Sequence, residues 1–193
     1  LMSADERHLL TLPDVTAWSA WLAASAASSD GVWLVLAKKG TMTPTSVRYQ
    51  EALEEALGHG WIDGQRRGHT DDTFIQRFTP RRPRSLWSKR NVEIIERLEA
   101  EGRLYVGGRA EVERAKEDGR WERAYAGQAS AEVPRELALA FAERPTALAA
   151  FEALGASDRY SALHPILSAP NPATLARRIE RLITRLGTDG EAG

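Results

Sequence analysis

Cysteine is absent from this sequence. Its absence excludes disulfides, thiolate metal sites, iron–sulfur clusters and a cysteine nucleophile together, and it fits a reducing compartment. Long apolar runs are missing too. Val32 to Ala37, a run that no other exceeds, falls far short of the roughly 20 residues that a membrane helix needs. The stretch Leu1 to Thr16 carries Asp5, Glu6, Arg7 and His8 without a sustained apolar run, so no signal peptide and no membrane insertion are expected. Neither sign of charge dominates: 26 basic side chains face 27 acidic ones, for a formal net charge of −1. Nothing global steers the chain to nucleic acid or anionic lipid. A cytoplasmic protein is the expectation.

Short catalytic signatures are equally scarce. There is no Walker-type phosphate loop, and Gly107-Gly108 lacks the strand and third glycine of a dinucleotide fingerprint. No serine stands in a Gly-x-Ser-x-Gly elbow. The histidines His8, His59, His69 and His164 never pair at metal-ligand spacing; His59 and Asp63 are four apart across a glycine-rich helix end. No metal and no cofactor are expected, and His59 reads as a cation at a helix C-terminus.

What is present is an ordinary globular composition, 42% hydrophobic and 27% charged, in a chain long enough to bury a core without covalent staples. Val15 to Ala27, after Pro13 and Asp14, predicts a first helix with Trp18 and Leu22 on its apolar face. Val32 to Leu36, branched and aromatic between Gly31 and Gly40, predicts a buried strand. Ser46 is a candidate N-cap for a helix over Val47 to Gly58, whose Tyr49, Leu53, Ala56 and Leu57 form a core stripe. An extended piece from Trp61 and a second one over Phe74 to Phe78, joined by a turn at Gly68 to Asp72, predict a hairpin. Ser88 can cap a helix over Lys89 to Ala100, and a shorter helix spans roughly Gly108 to Asp118. Helices broken at Pro134, Pro145, Gly155 and Pro165 follow, the last one capped by Asn171 with Pro172 at its first position. The segregation predicts an α+β fold: a small, mainly antiparallel sheet with packed helices in the first half, then an all-helical C-terminal half. The expected division is residues 12–100 as the core carrying the site and 101–187 as the helical part, with tails at 1–11 and 188–193.

One stretch is chemically unusual. Trp61 to Asn91 holds Arg66, Arg67, Arg77, Arg81, Arg82, Arg84, Lys89 and Arg90 against Asp63, Asp71 and Asp72. Arginine's planar fork suits carboxylate and phosphate, and a helix start at Ser88 adds oriented N–H groups. Arg77, Arg81 and Lys89 converging on one point, with Arg66 and Arg82 nearby, would make an anion pocket. Trp61 and Trp87 would stack on the ligand, and Asp63, Ser88 and Asn91 would orient it. The competing reading is a solvated strand and loop, its arginines paired with Glu51, Glu54 or Glu55. Arg177, Arg181 and Arg185 line one face of the last helix and read as its wet side.

These residues also carry a resemblance. Tyr49 through Leu57, Gly60-Trp61-Ile62-Asp63-Gly64, Phe78 through Ser85, and Trp87-Ser88-Lys89 with Asn91 resemble, in this order, the YdeI/OmpD-associated family. Asp118-Gly119-Arg120-Trp121, Ser157-x-Arg159-Tyr160 and Arg177 to Glu180 are similar to its C-terminal helical part. Pro165 and Pro170 depart from that pattern. The resemblance implies a bacterial cytoplasmic protein of the bacteriocin-protection and envelope-stress type, with no family-wide reaction attached. Three functions stay open. The first is binding of a small or anionic ligand in an Arg/Trp-lined pocket. The second is a metal-independent enzyme on a small anionic metabolite, with Asp63 or Glu51 as acid or base. The third is nucleic-acid binding through the arginine-rich hairpin, which the near-neutral charge argues against. Oligomeric state is left open by the sequence.

Overall fold

A computed structural model describes residues 9–127 and 131–189. The outer parts of the expected tails, 1–8 and 190–193, lie outside the described residues. The fold is α+β, with a four-stranded mixed sheet among helices in the first half and mostly helices in the C-terminal half. The chain divides into two compact units. One comprises the chain up to Ser85 together with Glu93–Asp118; the other comprises Leu86–Val92 and the chain from Gly119 onward.

In the first unit the elements run β1 (Leu9–Leu10), α1 (Val15–Ser25), β2 (Val32–Ala37), α2 (Tyr49–Gly58), β3 (Trp61–Gly68) and β4 (Thr73–Pro80). The sheet order is β1-β2-β4-β3, with β1 parallel to β2 and the other pairs antiparallel. β2 is an unbroken apolar run because both of its faces are buried. Alternation sends Val32, Leu34 and Leu36 to one face with Phe74 and Phe78 of β4, where Trp18 and Leu22 of α1 and Ala52 and Ala56 of α2 complete the core. The indole N–H of Trp18 donates to the Ala52 carbonyl at 3.1 Å, which satisfies the one polar atom of a fully buried ring. Asp14 caps α1, its carboxylate accepting the Ala17 N–H at 2.9 Å.

The start of α2 differs from the sequence expectation. The helix begins at Tyr49, and the Ser46 hydroxyl donates to the Pro13 carbonyl at 3.1 Å instead of capping. Arg48 occupies the cap position, and its N–H donates to the Glu51 carboxylate at 3.1 Å.

α3 (Lys89–Ala100) and α4 (Val106–Glu117) follow. Ser88 caps α3 as its position suggested, with Oγ accepting the Asn91 N–H at 3.2 Å. The second unit is built from α5 (Arg135–Ala142), α6 (Pro145–Glu152), α7 (Ala156–Leu167) and α8 (Pro172–Asp189) around Leu137, Phe141, Phe151, Leu163, Ile179 and Leu182. Asn171 caps α8 through the Thr174 N–H at 2.8 Å. Pro165 lies inside α7 and does not break it. It removes one hydrogen bond in the last turn, while Leu163 and Ile166 on either side are 3% and 2% exposed and hold that turn to the core. Among the described residues, no helix is long and apolar enough to cross a membrane.

Candidate functional site

A concavity of the first unit grows from the junction of α2 and α4. α2 ends at Gly58, His59 caps it, and Gly60 turns the chain into β3 with a φ of +83°. Tyr105, immediately before α4, donates its N–H to the Gly58 carbonyl at 3.0 Å. A Cβ on Gly60 would sit 2.7 Å from the Gly107 carbonyl oxygen, and one on Gly107 would sit 2.5 Å from that of His59. The first turn of α4 therefore packs backbone against backbone on the end of α2, which only glycines permit. Beside this junction lies a cleft of about 570 Å³. Leu22 and Ala23 of α1, with Ala26 just after it, form its apolar side, Trp61 lines it from β3, and Tyr105 with Glu111 and Arg114 of α4 closes it.

Its polar groups are incompletely satisfied. The His59 ring stacks on Tyr105 at 4.2 Å between centroids. Burial lowers the His59 pKa below its ordinary value, outweighing the opposite pull of Glu55. The imidazole is therefore neutral at pH 7, which corrects the expectation of a C-terminal cation. Its Nε2 is buried without a hydrogen-bond partner among the described residues. Glu111 is 8% exposed. One of its oxygens accepts from Arg114, while Oε2 has no partner among the described residues.

The residues singled out in the sequence serve varied ends. Trp61 is 2% exposed; its N–H donates to the Ala26 carbonyl at 3.2 Å, and its ring meets Trp21 edge-on. Asp63 accepts the Tyr49 hydroxyl at 2.7 Å, and Glu51 caps its own helix. The Arg66 guanidinium lies 3.9 Å over the Phe74 ring, and that of Arg67 lies 4.4 Å over Trp33. Arg77, half-buried, runs beside the Gly64 bulge. Arg81 is only 5% exposed, and its backbone N–H donates to the Gly60 carbonyl at 3.1 Å. Arg82 is exposed in a turn closed by Ser85. Trp87, Ser88, Lys89 and Asn91 belong to the second unit. There Trp87 is 2% exposed with its ring 5.0 Å from Trp121, the Lys89 N–H donates to the Tyr125 carbonyl, and Asn91 is buried. Trp61 is the member of the set that lines the cleft.

Residues 10–111 match the family described as a domain of unknown function, DUF8412, and residues 130–188 match the family described as Bacteriocin-protection, YdeI or OmpD-Associated. The chain belongs to the DUF8412 family, whose model spans more than half of it, and its C-terminal part is similar to the YdeI/OmpD-associated family. No curated protein and no solved structure matches the chain. The cleft falls almost wholly in the DUF8412 part, whereas the blocks around Ser157 to Tyr160 and Arg177 to Glu180 fall in the YdeI/OmpD-associated part.

At the cleft, sequence reasoning missed His59 as a neutral group and missed Tyr105, Glu111 and Arg114 altogether. The available signal was the pairing of Gly58-His59-Gly60 with Gly107-Gly108, two small-residue sites at the end of α2 and the start of α4. Gln76 was also missed. It is 3% exposed, and its amide donates to the Gly64 and Gln65 carbonyls at 2.8 and 3.2 Å, satisfying the backbone of the β3 bulge.

Proposed function

We propose that the chain is a small-ligand-binding protein of the bacteriocin-protection type, acting in the cytoplasm, whose ligand occupies the cleft beside Trp61. The observation that supports the reading is the cleft itself: one apolar side on α1, aromatic groups at Trp61 and Tyr105, and a small polar cluster of His59, Glu111 and Arg114. A volume of about 570 Å³ suits a small organic molecule. Such a ligand lays a flat apolar body against the α1 side and turns one polar or anionic group toward Arg114. The Arg/Trp-lined pocket expected from the sequence is thus kept in kind but relocated, with Arg114 in place of Arg77 and Arg81.

The enzyme alternative has less support, because the Asp63 carboxylate is held by Tyr49 and Glu51 is engaged at its helix start. Ala23 is exposed on the rim of the cleft, so Ala23→Trp fills the space without touching the core. Benzoate, benzamide and benzylamine are the probes, with the Trp61 indole N–H resonance as the readout. At least one probe is expected to shift that resonance in the wild type and to leave it unmoved in Ala23→Trp. No response to any of the three, or an undiminished response in the variant, refutes the reading.

A further inference from the structure

The second unit holds its own cavity, of about 420 Å³. Its walls are apolar: Val133, Ala138, Phe141, Leu148, Phe151 and Leu163. Phe141 and Phe151 lie in the buried core, 2% and 3% exposed, with ring centroids 5.1 Å apart. Val133, at 40% exposure, leaves apolar surface open at the edge. Two charged side chains line the cavity as well, Arg159 and Glu152.

Arg159 is held in place. Its guanidinium carbon lies 5.6 Å from the Phe151 ring centroid. Its Nη2 donates to the carbonyls of Glu152 and Leu154, at 2.8 and 3.4 Å, at the end of α6. Those two carbonyls take up one corner of the planar fork. Nε and Nη1 have no hydrogen bond among the described residues. Carbonyl oxygens carry no formal charge, so the exposed guanidinium keeps its full charge while these contacts orient it. A cation fixed in this way beside an apolar cavity matches an apolar tail ending in a single carboxylate, because the fork binds carboxylate with two parallel N–H donors. A tail without a charge fills the walls and leaves the fork unused. Glu152 lines the same cavity, and its carboxylate disfavours a second negative charge on the ligand.

We propose that this cavity is a binding site for a monocarboxylate with an apolar tail, with Arg159 holding the carboxylate and the Phe141–Phe151 wall holding the tail. It is independent of the cleft at Trp61, since no residue is shared.

Octanoate, octanol and octylammonium have one tail and three head groups, and full-length protein is titrated with each while the Phe151 and Leu163 resonances are followed. Octanoate is expected to bind about tenfold tighter than octanol, the preference of one charge-assisted hydrogen-bond pair, and octylammonium no tighter than octanol. Arg159→Gln is expected to bring octanoate down to the level of octanol while octanol stays unchanged. Glu152→Gln, at an exposed position, is expected to tighten octanoate severalfold. Ala138→Trp, also exposed and on the cavity wall, is expected to block all three probes. Equal binding of the three head groups, no binding of octanoate, or an octanoate preference that survives Arg159→Gln overturns the proposal. Should Arg159→Gln fail to fold, the Glu152→Gln and Ala138→Trp titrations decide it alone: unchanged octanoate binding in both refutes it. Ala23→Trp is expected to leave octanoate binding untouched, which separates this site from the cleft.

Discussion

His59 stands at the end of α2 with its ring against Tyr105, and its titration follows from that place. In the unfolded chain an imidazole takes up a proton near pH 6.5. In the folded chain burial lowers that value, so between the two values the unfolded state binds more protons. The fold is free of this penalty above about pH 7 and loses stability as the pH falls from the unfolded value toward the depressed one. A His59→Gln variant, which cannot titrate, is expected to have a flatter stability profile between about pH 7 and pH 5. Chemical denaturation at several pH values checks this, and an unchanged slope would show that the ring is not buried as a neutral group. The sequence could not reveal this behaviour, because the burial of the ring, stacked on Tyr105, depends on how α4 docks on α2. The same holds for Arg81. Its run of basic neighbours reads as a wet loop, yet at 5% exposure it is among the buried charged residues. Local composition reports the charge; tertiary packing decides whether it meets water.

Helix α2 carries a connected ion-pair network. Arg103 donates to Glu55 at 2.5 Å and to Glu101 at 3.0 Å, and Arg97 donates to Glu54 at 2.6 Å. Burial pushes the Glu54 pKa up, but hydrogen bonds from Gln50 and Arg97 and the charges of Arg97 and Arg103 outweigh it, and the value ends below the usual carboxylate range. The stability this represents is present above the unfolded value and lost as the pH falls through the folded one, a window lower than that of His59. Glu55 is the less exposed acid, at 7%. Arg103→Met would leave that carboxylate without its cation. An expected cost of about 1–3 kcal/mol reflects a half-exposed arginine rather than a fully buried pair. Because the loss comes from the stranded charge, Glu55→Gln together with Arg103→Met is expected to cost less than Arg103→Met alone. Thermal unfolding of both variants measures it, and a double variant less stable than the single one contradicts the argument. At this scale the sequence was largely legible. The caps at Ser88 and Asn171, the β2 strand and the β3–β4 hairpin are short-range features, written in residues a few positions apart. The start of α2 and the persistence of α7 through Pro165 were not, since both are set by partners outside the segment: Pro13 for Ser46, and the apolar core for Leu163 and Ile166.

The chain crosses between its two compact units within a few residues. Leu86–Val92 belongs to the second unit, although Glu93 to Asp118, which follow it, belong to the first. A cut after Asp118 therefore treats the units unequally. The fragment up to Asp118 keeps every element of the first unit, including the sheet, the α2–α4 junction and the cleft. The fragment from Gly119 keeps the apolar core of α5 to α8 but loses Trp87, which is 2% exposed in the whole chain. Trp87 packs edge-on against Trp121, and its carbonyl accepts the Tyr125 N–H at 3.0 Å. An aromatic pair of this kind contributes about 0.5–1.5 kcal/mol beyond its buried area, and Trp121 would also be newly exposed. The N-terminal fragment is thus expected to unfold cooperatively in urea and to retain the response of the Trp61 indole to benzoate or its analogues. The C-terminal fragment is expected to be helical but less stable, and to regain stability when a peptide spanning Leu86 to Val92 is joined ahead of Gly119. Circular dichroism and urea titration of the three fragments test this. A C-terminal fragment indifferent to the Leu86–Val92 segment would mean that Trp87 is buried there without stabilising the unit, and that the two family matches mark separate folding units divided by sequence order alone.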